Sequence, residues 1–267
     1  MSLIRILFIL IIGFLAGGMD TVIGAGNLII IAILTLIGLP PIKAVATMQL
    51  VTFFQLTSAT ILFAKKKLIN WHQALYFAFL GGIGSFIGAN LLLSINENIV
   101  STIAGSIMLV LLIIIPFFEV REEPEIVGIF KKLYYRLFNR RPIITHKLAS
   151  KFALGLIALV LGIYGGFYGA GRGLIMLLLF YLVGEANLIT TSANIKPMDA
   201  LLSFISATVF LQVENIINWK IALPLTVSSI AGSFFGVNLA QRIGLKKLRF
   251  FLYAIAVISA IKLIFFI

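Results

Sequence analysis

The chain has 267 residues, is 61% hydrophobic and only 11% charged, and contains no cysteine. Soluble domains are about half apolar and about a quarter charged, so this composition indicates an integral membrane protein, and the lack of cysteine excludes disulfides and thiolate metal sites. The net charge of +12 does not predict nucleic-acid binding, because the basic residues cluster at the ends of apolar segments, where they orient a protein in the bilayer.

The first apolar run, residues 3–36, is interrupted by a glycine-rich segment at residues 17–27 that also carries Asp20. The two apolar arms have about fourteen and ten residues, fewer than the roughly twenty that a spanning helix needs. Arg5 followed by an apolar run is also typical of a signal peptide, but residues 155–173 repeat the pattern in mid-chain, where nothing is cleaved. We therefore interpret the N-terminal run as part of the structure.

The sequence Gly-Leu-Pro-Pro at residues 38–41 ends this first hairpin, and long apolar segments follow it. They predict spanning helices at about residues 42–64, 71–94 and 99–118. Residues 119–148 are polar and basic, with apolar side chains at helical spacing, which is typical of an amphipathic helix on the membrane surface. We interpret this stretch as a linker, and a site for a regulatory partner is the alternative.

A second glycine-rich segment, residues 162–173, shares its Gly-Ala-Gly with the first. It is flanked by short apolar arms and followed by long apolar segments, so the second half repeats the pattern of the first. The arms lie at about residues 149–161 and 174–183, and the predicted spanning helices at about residues 188–211, 219–241 and 245–267.

Two further motifs recur at a constant interval. Gly-Ser-Phe-Ile-Gly-Ala-Asn at residues 84–90 returns as Gly-Ser-Phe-Phe-Gly-Val-Asn at 232–238, and Asn70-Trp71 returns as Asn218-Trp219, both 148 positions later. The sequence thus indicates an internal duplication. We predict an all-α polytopic membrane protein with two repeats, each a glycine-broken helical hairpin plus three spanning helices. The predicted parts are the first membrane repeat (1–118), a basic cytoplasmic linker (119–148) and the second membrane repeat (149–267).

The basic residues also predict how the repeats are oriented. If the linker lies in the cytoplasm and each repeat crosses the membrane an odd number of times, the basic clusters at residues 65–67 and 242–249 also lie inside. An even number would place the second cluster outside, against the positive-inside rule. The charges therefore favour inverted repeats, which are common in secondary transporters. Whether each hairpin spans fully or re-enters is left open.

Glycine breaks at membrane depth release backbone polar groups that must face protein or a water-filled cavity, since lipid cannot bond them. A helix that restarts after a break directs free N–H groups and its positive dipole end into that cavity, which suits an anion. The restarts are predicted near Asn27 and Leu174, from opposite sides, and Arg172 adds a fixed positive charge. The alternative is that the glycines only allow tight helix packing.

Asp20, Arg172, Lys196 and Asp199 are predicted inside the membrane, where a charge costs on the order of 3 kcal/mol. Lys196 and Asp199 are spaced i, i+3 and predict a buried ion pair, with Pro197 between them as a candidate kink. The alternative is that Lys196 binds an anionic substrate while Asp199 or Asp20 takes part in proton coupling. Neutral hydrogen-bonding groups are expected from Thr47, Gln49, Gln55, Asn90, Ser192, Asn194 and Asn238.

The two histidines do not predict a metal site, because His72 lies at a membrane interface and His146 in the linker. The sequence contains no His-Glu-x-x-His, no Gly-x-Ser-x-Gly and no phosphate-binding loop. It therefore predicts neither an enzyme nor a cofactor.

Taken together, these motifs resemble the TauE/SafE family of sulfite exporters. Residues 17–27 resemble the family's Gly-x-x-Asp-x-x-x-Gly-Gly-Gly-Gly segment, with Asp20 at the Asp position, and residues 162–173 resemble its Gly-x-Tyr-x-Gly-Phe-x-Gly-Pro-Gly-x-Gly. Lys196 matches a family lysine. The resemblance covers nearly the whole chain except the linker, and it implies a transporter for a sulfur oxyanion or organosulfonate. The motif order also agrees at Gly38-Leu39-Pro40-Pro41, Ala46-Thr47, Ser58-Ala59-Thr60, Gly232 to Asn238 and Gly244.

Three positions depart from the family pattern. Thr47-Met48-Gln49 stands where the family has Thr-Asn-Lys, so one basic residue is missing, and Ile31 stands near the place of a usual proline. Arg172 occupies a position that is usually small or hydroxyl-bearing. One charge lost and another gained would preserve an anion site but move it.

The sequence therefore predicts a secondary transporter for a small anion in the cell membrane, working by alternating access. An anion channel with the same cavity and a non-transporting scaffold are the alternatives. The predicted partners are the anion and the lipid bilayer, without nucleic acid, and a homo-oligomer is left open. The predicted substrate-binding residues are Gly24, Gly26, Asn27, Thr47, Gln49, Gly169, Gly171, Arg172, Asn194 and Lys196, and the predicted coupling or ion-pair residues are Asp20 and Asp199.

Overall fold

A computed structural model describes residues 3–114, 147–183 and 188–242. Within these ranges the chain forms nine α-helices and no strand, which confirms the predicted all-α class. The predicted linker, apart from its last two residues, and the predicted last span lie outside the described residues. The helices are α1 (Leu3–Ile23), α2 (Gly26–Leu36), α3 (Pro41–Lys65), α4 (Trp71–Ser94), α5 (Glu97–Ile114), α6 (Lys147–Phe167), α7 (Arg172–Val183), α8 (Leu188–Leu211) and α9 (Trp219–Arg242).

The distribution of side chains is that of a protein solvated by lipid. Helices α1, α3 and α4 are long and apolar enough to cross a membrane, and α2 is a shorter apolar helix. Large hydrophobic side chains such as Phe79, Leu223 and Val227 are exposed, whereas serines, threonines and four charged side chains are buried. Since polar groups avoid lipid and apolar groups do not, this arrangement, together with the apolar helices, identifies an all-α polytopic membrane protein.

Local sequence signals set the helix ends. Gly38 adopts a φ of +92°, a left-handed conformation that glycine tolerates, and Pro41 begins α3, where its missing N–H has no helical partner to lose. The Asn70 side chain accepts a hydrogen bond from the Gln73 backbone nitrogen (3.3 Å) and caps α4. The predicted bounds of α3, α4, α8 and α9 agree with the structure to within one residue.

The first arm of each hairpin is longer than predicted. Helices α1 and α6 run through Gly17 and Gly162 and have 21 residues each, so the prediction that helix breaks begin at these glycines is wrong. The reason is packing between backbones. A Cβ on Gly17 would lie 2.0 Å from the carbonyl oxygen of Ser229, and one on Gly162 would lie 2.0 Å from that of Gly81. Such close contact offsets the low helix propensity of glycine.

Helices pair between the two halves rather than within them. The two most extensive contacts are between α1 and α9 and between α4 and α6. The central helices α3 and α8 pack on each other. In addition, α3 packs on α9 and α8 packs on α4. The pattern is unchanged when the halves are exchanged. The duplicated motifs also lie in equivalent contacts. A Cβ on Gly84 would lie 2.1 Å from the Leu159 carbonyl oxygen, and a Cβ on Gly232 would lie 2.0 Å from the Phe14 carbonyl oxygen. The packing supports the duplication, and the inverted orientation of the repeats in the membrane stays a prediction.

Candidate functional site

The two helix breaks meet in the protein interior. The first is at Gly24, with a φ of +71°, and the second includes Gly169 and Gly171, with φ of +73° and +71°. A Cβ on Gly24 would lie 2.4 Å from the carbonyl carbon of Gly173, so the backbone of the first break touches the first turn of α7. Only glycine combines these left-handed conformations with such close approach. The two breaks, which the sequence predicts to line one site, are therefore in contact in the structure.

The start of α2 is already occupied by a protein carboxylate. Oδ1 of Asp20, in the last turn of α1, accepts a hydrogen bond from the Gly26 backbone nitrogen at 2.9 Å. Both residues are buried, and the carboxylate lies at the positive end of the α2 dipole. The anion site that the sequence predicts at Gly24 and Gly26 is filled in this conformation by Asp20 itself.

Arg172, the first residue of α7, is the buried cation at the junction. Its Nε donates to Oδ1 of Asp199, and its second terminal nitrogen, Nη2, donates to Oγ of Ser203 at 2.6 Å and to the Asp199 carbonyl oxygen at 3.3 Å. Arg172 and Asp199 are both fully buried. The other terminal nitrogen, Nη1, has no hydrogen-bond partner. A buried guanidinium N–H without a partner is uncommon and marks a place where a further acceptor is favourable.

Asp199 therefore pairs with Arg172, so the predicted ion pair between Lys196 and Asp199 is wrong. Lys196 instead donates to the carbonyl oxygen of Asp20 at the end of α1. An ammonium group is favourable there because the last carbonyls of a helix carry partial negative charge. Helix α8 continues through Pro197. Lys196 and Asp199 nevertheless bind different neighbours, Asp20 on α1 and Arg172 on α7.

Gln49 on α3 makes the equivalent contact in the other half of the molecule. Its Nε2 donates to the carbonyl oxygen of Gly165, near the end of α6, as Lys196 does at the end of α1. In the duplication Gln49 corresponds to Lys196 and Gly165 to Asp20. Each long central helix thus binds the end of the first hairpin arm of the opposite repeat. The basic residue missing from the first half is replaced by an amide in the same position.

Asn27 links the two breaks directly, since its Nδ2 donates to the carbonyl oxygen of Gly169 at 3.1 Å. Asn27 corresponds to Arg172 in the duplication. Within the second break, the Tyr164 hydroxyl donates to the Ala170 carbonyl oxygen. These bonds hold the irregular backbone in place without lipid contact, as backbone at membrane depth requires.

Thr47 and Asn194 are bonded away from the charged cluster. The Thr47 hydroxyl accepts from the Asn218 backbone nitrogen at 3.1 Å, and Oδ1 of Asn194 accepts from the Asn70 backbone nitrogen at 2.7 Å. These two bonds are related by the duplication and fix the segments that precede α9 and α4. Asn194 also lines a small cleft between α4, α7 and α8, together with Gln73, Phe77 and other side chains. The structure does not bring these two predicted residues to Arg172.

The structure also adds residues that the sequence reasoning missed. Ser203 lies one turn after Asp199 on α8, a spacing that could have pointed to it. Tyr168 and Thr52 are buried polar residues with no simple sequence signal. Asn90, expected as a neutral bonding group, is exposed and donates only to Phe86 of its own helix. Among the described residues, the buried polar atoms without a hydrogen-bond partner are Asp20 Oδ2, Asn27 Oδ1, Gln49 Oε1, Thr52 Oγ1, both amide atoms of Gln55, Tyr168 Oη, Arg172 Nη1 and Asp199 Oδ2.

The buried cluster combines charged groups with neutral hydrogen-bonding groups. In the part of the chain that the structure describes, no group of three or more His, Asp or Glu side chains is placed to hold a metal ion. Four charged side chains, two positive and two negative, are buried there instead, beside neutral donors and acceptors. Buried charges are paired at a desolvation cost, so such a concentration points to function.

A helical membrane protein with charged side chains around paired helix breaks is the architecture of a membrane transporter. Comparison with known proteins agrees: residues 9–263 match the family model for the sulfite exporter TauE/SafE, and the chain belongs to that family. A probable membrane transporter protein of Haemophilus influenzae is 28% identical over 92% of this chain and 87% of its own length. One from Sinorhizobium is 23% identical (96% and 91%), and YfcA of Escherichia coli K12 is 25% identical (95% and 87%). No solved structure matches the chain significantly.

Proposed function

We propose that this transporter is a secondary carrier for a small anion, a sulfur oxyanion or an organosulfonate such as sulfite or a short sulfonate. It lies in the cytoplasmic membrane, crosses it several times and keeps the linker, residues 119–148, in the cytoplasm. The proposal assigns transport alone, with no chemical change to the anion. The family description supports the sulfur anion, and the relatives' names support transport.

The observation that carries the proposal is the guanidinium of Arg172. It is fully buried at the meeting point of the two breaks, at the start of a helix, and its Nη1 has no protein partner. A sulfonate or sulfite group presents three oxygens around one sulfur, and the planar fork of arginine binds two such oxygens at once. The positive end of α7 favours the same negative charge.

Transport also requires that the site open to each side in turn. The exchange symmetry of the packing supports a mechanism in which one repeat moves against the other around a central site. The hydrogen bonds from Lys196 to Asp20 and from Gln49 to Gly165 join the central helices to the hairpins of the opposite repeats, so they break or move with the hairpins.

Flux into liposomes that contain the purified protein tests the proposal. We expect saturable flux of at least one of sulfite, sulfate, thiosulfate, taurine, sulfoacetate and methanesulfonate. Arg172→Gln should lower that flux by about 30-fold or more, because losing one partner of a buried charged contact costs on the order of 2–5 kcal/mol. Lys220→Gln, which removes an exposed cation on α9, is the matched control and should retain the wild-type flux.

The alternatives give different results in the same assay. Flux that does not saturate and shows no exchange between labelled and unlabelled anion indicates a channel. No flux of any of the six compounds contradicts the proposal. Wild-type flux that persists in folded Arg172→Gln protein contradicts the assignment of the site.

A further inference from the structure

We propose that Asp199 is an internal counter-anion that the transported anion replaces on Arg172, with one proton binding to Asp199 as it is displaced. This inference rests on the proposed function and assigns Asp199 a distinct role within it. The transported anion and the Asp199 carboxylate then compete for one guanidinium group. A monovalent anion would cross the membrane together with one proton, without net charge movement.

Arg172 is held by a carboxylate that resembles the proposed anionic ligand. Nε of Arg172 binds a carboxylate oxygen of Asp199, and Nη2 binds Ser203 and the Asp199 carbonyl oxygen. A carboxylate and a sulfonate offer similar planar pairs of oxygens to the same nitrogen fork. Release of Asp199 would free Nε, which forms one donor fork of the guanidinium with Nη2, and Nη1 already lacks a partner.

The charges in the interior are balanced. Among the described residues, the buried charged side chains are Asp20, Asp199, Arg172 and Lys196, and their formal charges sum to zero. An anion that enters alone leaves one uncompensated negative charge in a region of low dielectric constant, which is strongly unfavourable. A proton that enters with the anion restores neutrality.

Asp199 is better placed than Asp20 to accept the proton. Oδ1 of Asp20 is fixed by the Gly26 nitrogen at the start of α2, and Lys196 binds at the same residue. Oδ2 lacks a hydrogen-bond partner in both carboxylates, so a proton can add to either, but Asp199 is the one that contacts the Arg172 guanidinium directly. Protonation would remove the charge that attracts Arg172, and displacement and protonation are therefore one linked step.

The groups that face Asp199 are few. Arg172 on α7 contacts Asp199, and Asp20 on α1 interacts with it electrostatically. Lys196, on the same helix as Asp199, interacts electrostatically with Asp20, and Tyr164 on α6 interacts with Arg172. Helices α3, α4 and α9, which pack nearby, contribute no buried charged side chain among the described residues. A proton that binds together with the anion could therefore bind to either of two carboxylates, Asp20 or Asp199. The experiment must distinguish these two acceptors.

The experiment measures accumulation of an anion driven by a pH gradient. Liposomes containing the full-length protein are made acidic outside, with the membrane potential clamped at zero by valinomycin and equal potassium. The probe is methanesulfonate, or thiosulfate where that gives the larger flux, since neither changes its charge between about pH 6 and 8. Thiosulfate is divalent and carries one net negative charge with its proton, but with the potential clamped at zero the expected concentration ratio is the same. We expect the wild type to accumulate the probe about tenfold per unit of pH difference, the ratio that one coupled proton supports.

Three variants locate the proton. Asp199→Asn should still carry the probe but only to equal concentrations on both sides, whereas Asp199→Glu should retain accumulation. Asp20→Asn keeps the oxygen that caps α2 but changes the interior charge, so its flux should change while its accumulation ratio stays, because the displaced Asp199 still needs a proton. Accumulation that survives in Asp199→Asn, or that is lost only in Asp20→Asn, overturns the inference.

The wild-type measurement guards against a variant that does not fold. Wild-type flux without any response to the pH gradient overturns this inference and leaves the proposed function standing. Absence of wild-type flux for every compound contradicts the proposed function itself, so the two failures are distinguishable.

Discussion

The two halves of the molecule share one packing scheme and differ in the polar chemistry they carry. Asn27, Gln49 and Thr52 in the first half correspond to Arg172, Lys196 and Asp199 in the second. Three positions are therefore neutral in the first half and charged in the second, and all six residues are buried. The reverse holds at one position, where Asp20 in the first half corresponds to Gly165.

The comparison separates what builds the protein from what gives it a function. Contacts between glycine and a facing carbonyl, as at Gly17 and Gly162, are kept in both halves because two backbones touch there and any side chain would separate them. Polar positions around the breaks are free to diverge, since either an amide or an ammonium group can bond the end of a helix. We infer that the equivalent glycines maintain the fold, while the difference in charge defines an asymmetric binding site.

The largest expected effect comes from breaking what the halves share. Gly17→Ala and Gly162→Ala each force a Cβ to 2.0 Å from a backbone carbonyl oxygen, so the paired helices must move apart. We expect each change to destabilise the folded protein by about 3 kcal/mol or more. Thermal unfolding in detergent, followed by size-exclusion chromatography, measures the loss.

Gly155→Ala is the matched control on α6, because its Cβ would first meet the end of the Leu80 side chain, which can rotate away. Its stability should stay within about 1 kcal/mol of the wild type, since alanine also favours the helix. Equal stability of all three variants would contradict the assignment of Gly17 and Gly162 as backbone contacts.

The second prediction concerns the pair that is present only in the second half. Arg172→Met leaves Asp199 buried without its cation and should cost about 3–5 kcal/mol of stability. The double change Arg172→Met with Asp199→Leu removes both charges and should recover most of that loss, because an apolar pair of similar volume replaces a buried ion pair. Thermal unfolding of the single and double variants measures this difference.

Anion flux should separate stability from function in the same proteins. The double variant is expected to be stable yet to carry no anion, since it lacks the guanidinium. If the double variant is as unstable as Arg172→Met, the unpaired charge of Asp199 is not the cause of the lost stability. A double variant that still transports would remove Arg172 from the binding site.

Much of this fold could be predicted from hydropathy and from motif spacing. Both signals are local, so the bounds of the long helices and the duplication followed directly from them, as with residues 84–90 and 232–238. The ends of the first hairpin arms could not be predicted. A glycine such as Gly17 looks the same in sequence whether it ends a helix or contacts a second backbone.

The residues of the candidate site could be predicted from the sequence, but most of their contacts could not. Residues with charge at membrane depth are visible in the sequence, so Asp20, Arg172, Lys196 and Asp199 were identified as the buried charged residues. Their partners depend on which helices meet, and the i, i+3 spacing of Lys196 and Asp199 favoured the wrong ion pair. Ser203 was missed because a serine inside an apolar helix carries little signal of its own.

The third prediction compares two equivalent contacts that differ only in charge. Lys196→Met and Gln49→Leu each remove the side chain that binds the end of the opposite hairpin arm, at Asp20 and Gly165 respectively. The stability cost should be similar, about 1–3 kcal/mol, because each change leaves one buried carbonyl with a lost bond. Flux should differ: we expect a loss of about tenfold or more for Lys196→Met and of about threefold or less for Gln49→Leu.

The reason is the charge balance of the interior. Loss of the ammonium leaves a net negative charge beside the proposed site and repels the anion, whereas loss of the amide leaves the formal charge at zero. Equal flux losses in the two variants would mean that both contacts act only as mechanical links between the repeats. A larger loss for Gln49→Leu would place the anion site in the first half, where the family pattern has its second lysine. The charged residues of the second half would then contribute to proton coupling and not to anion binding.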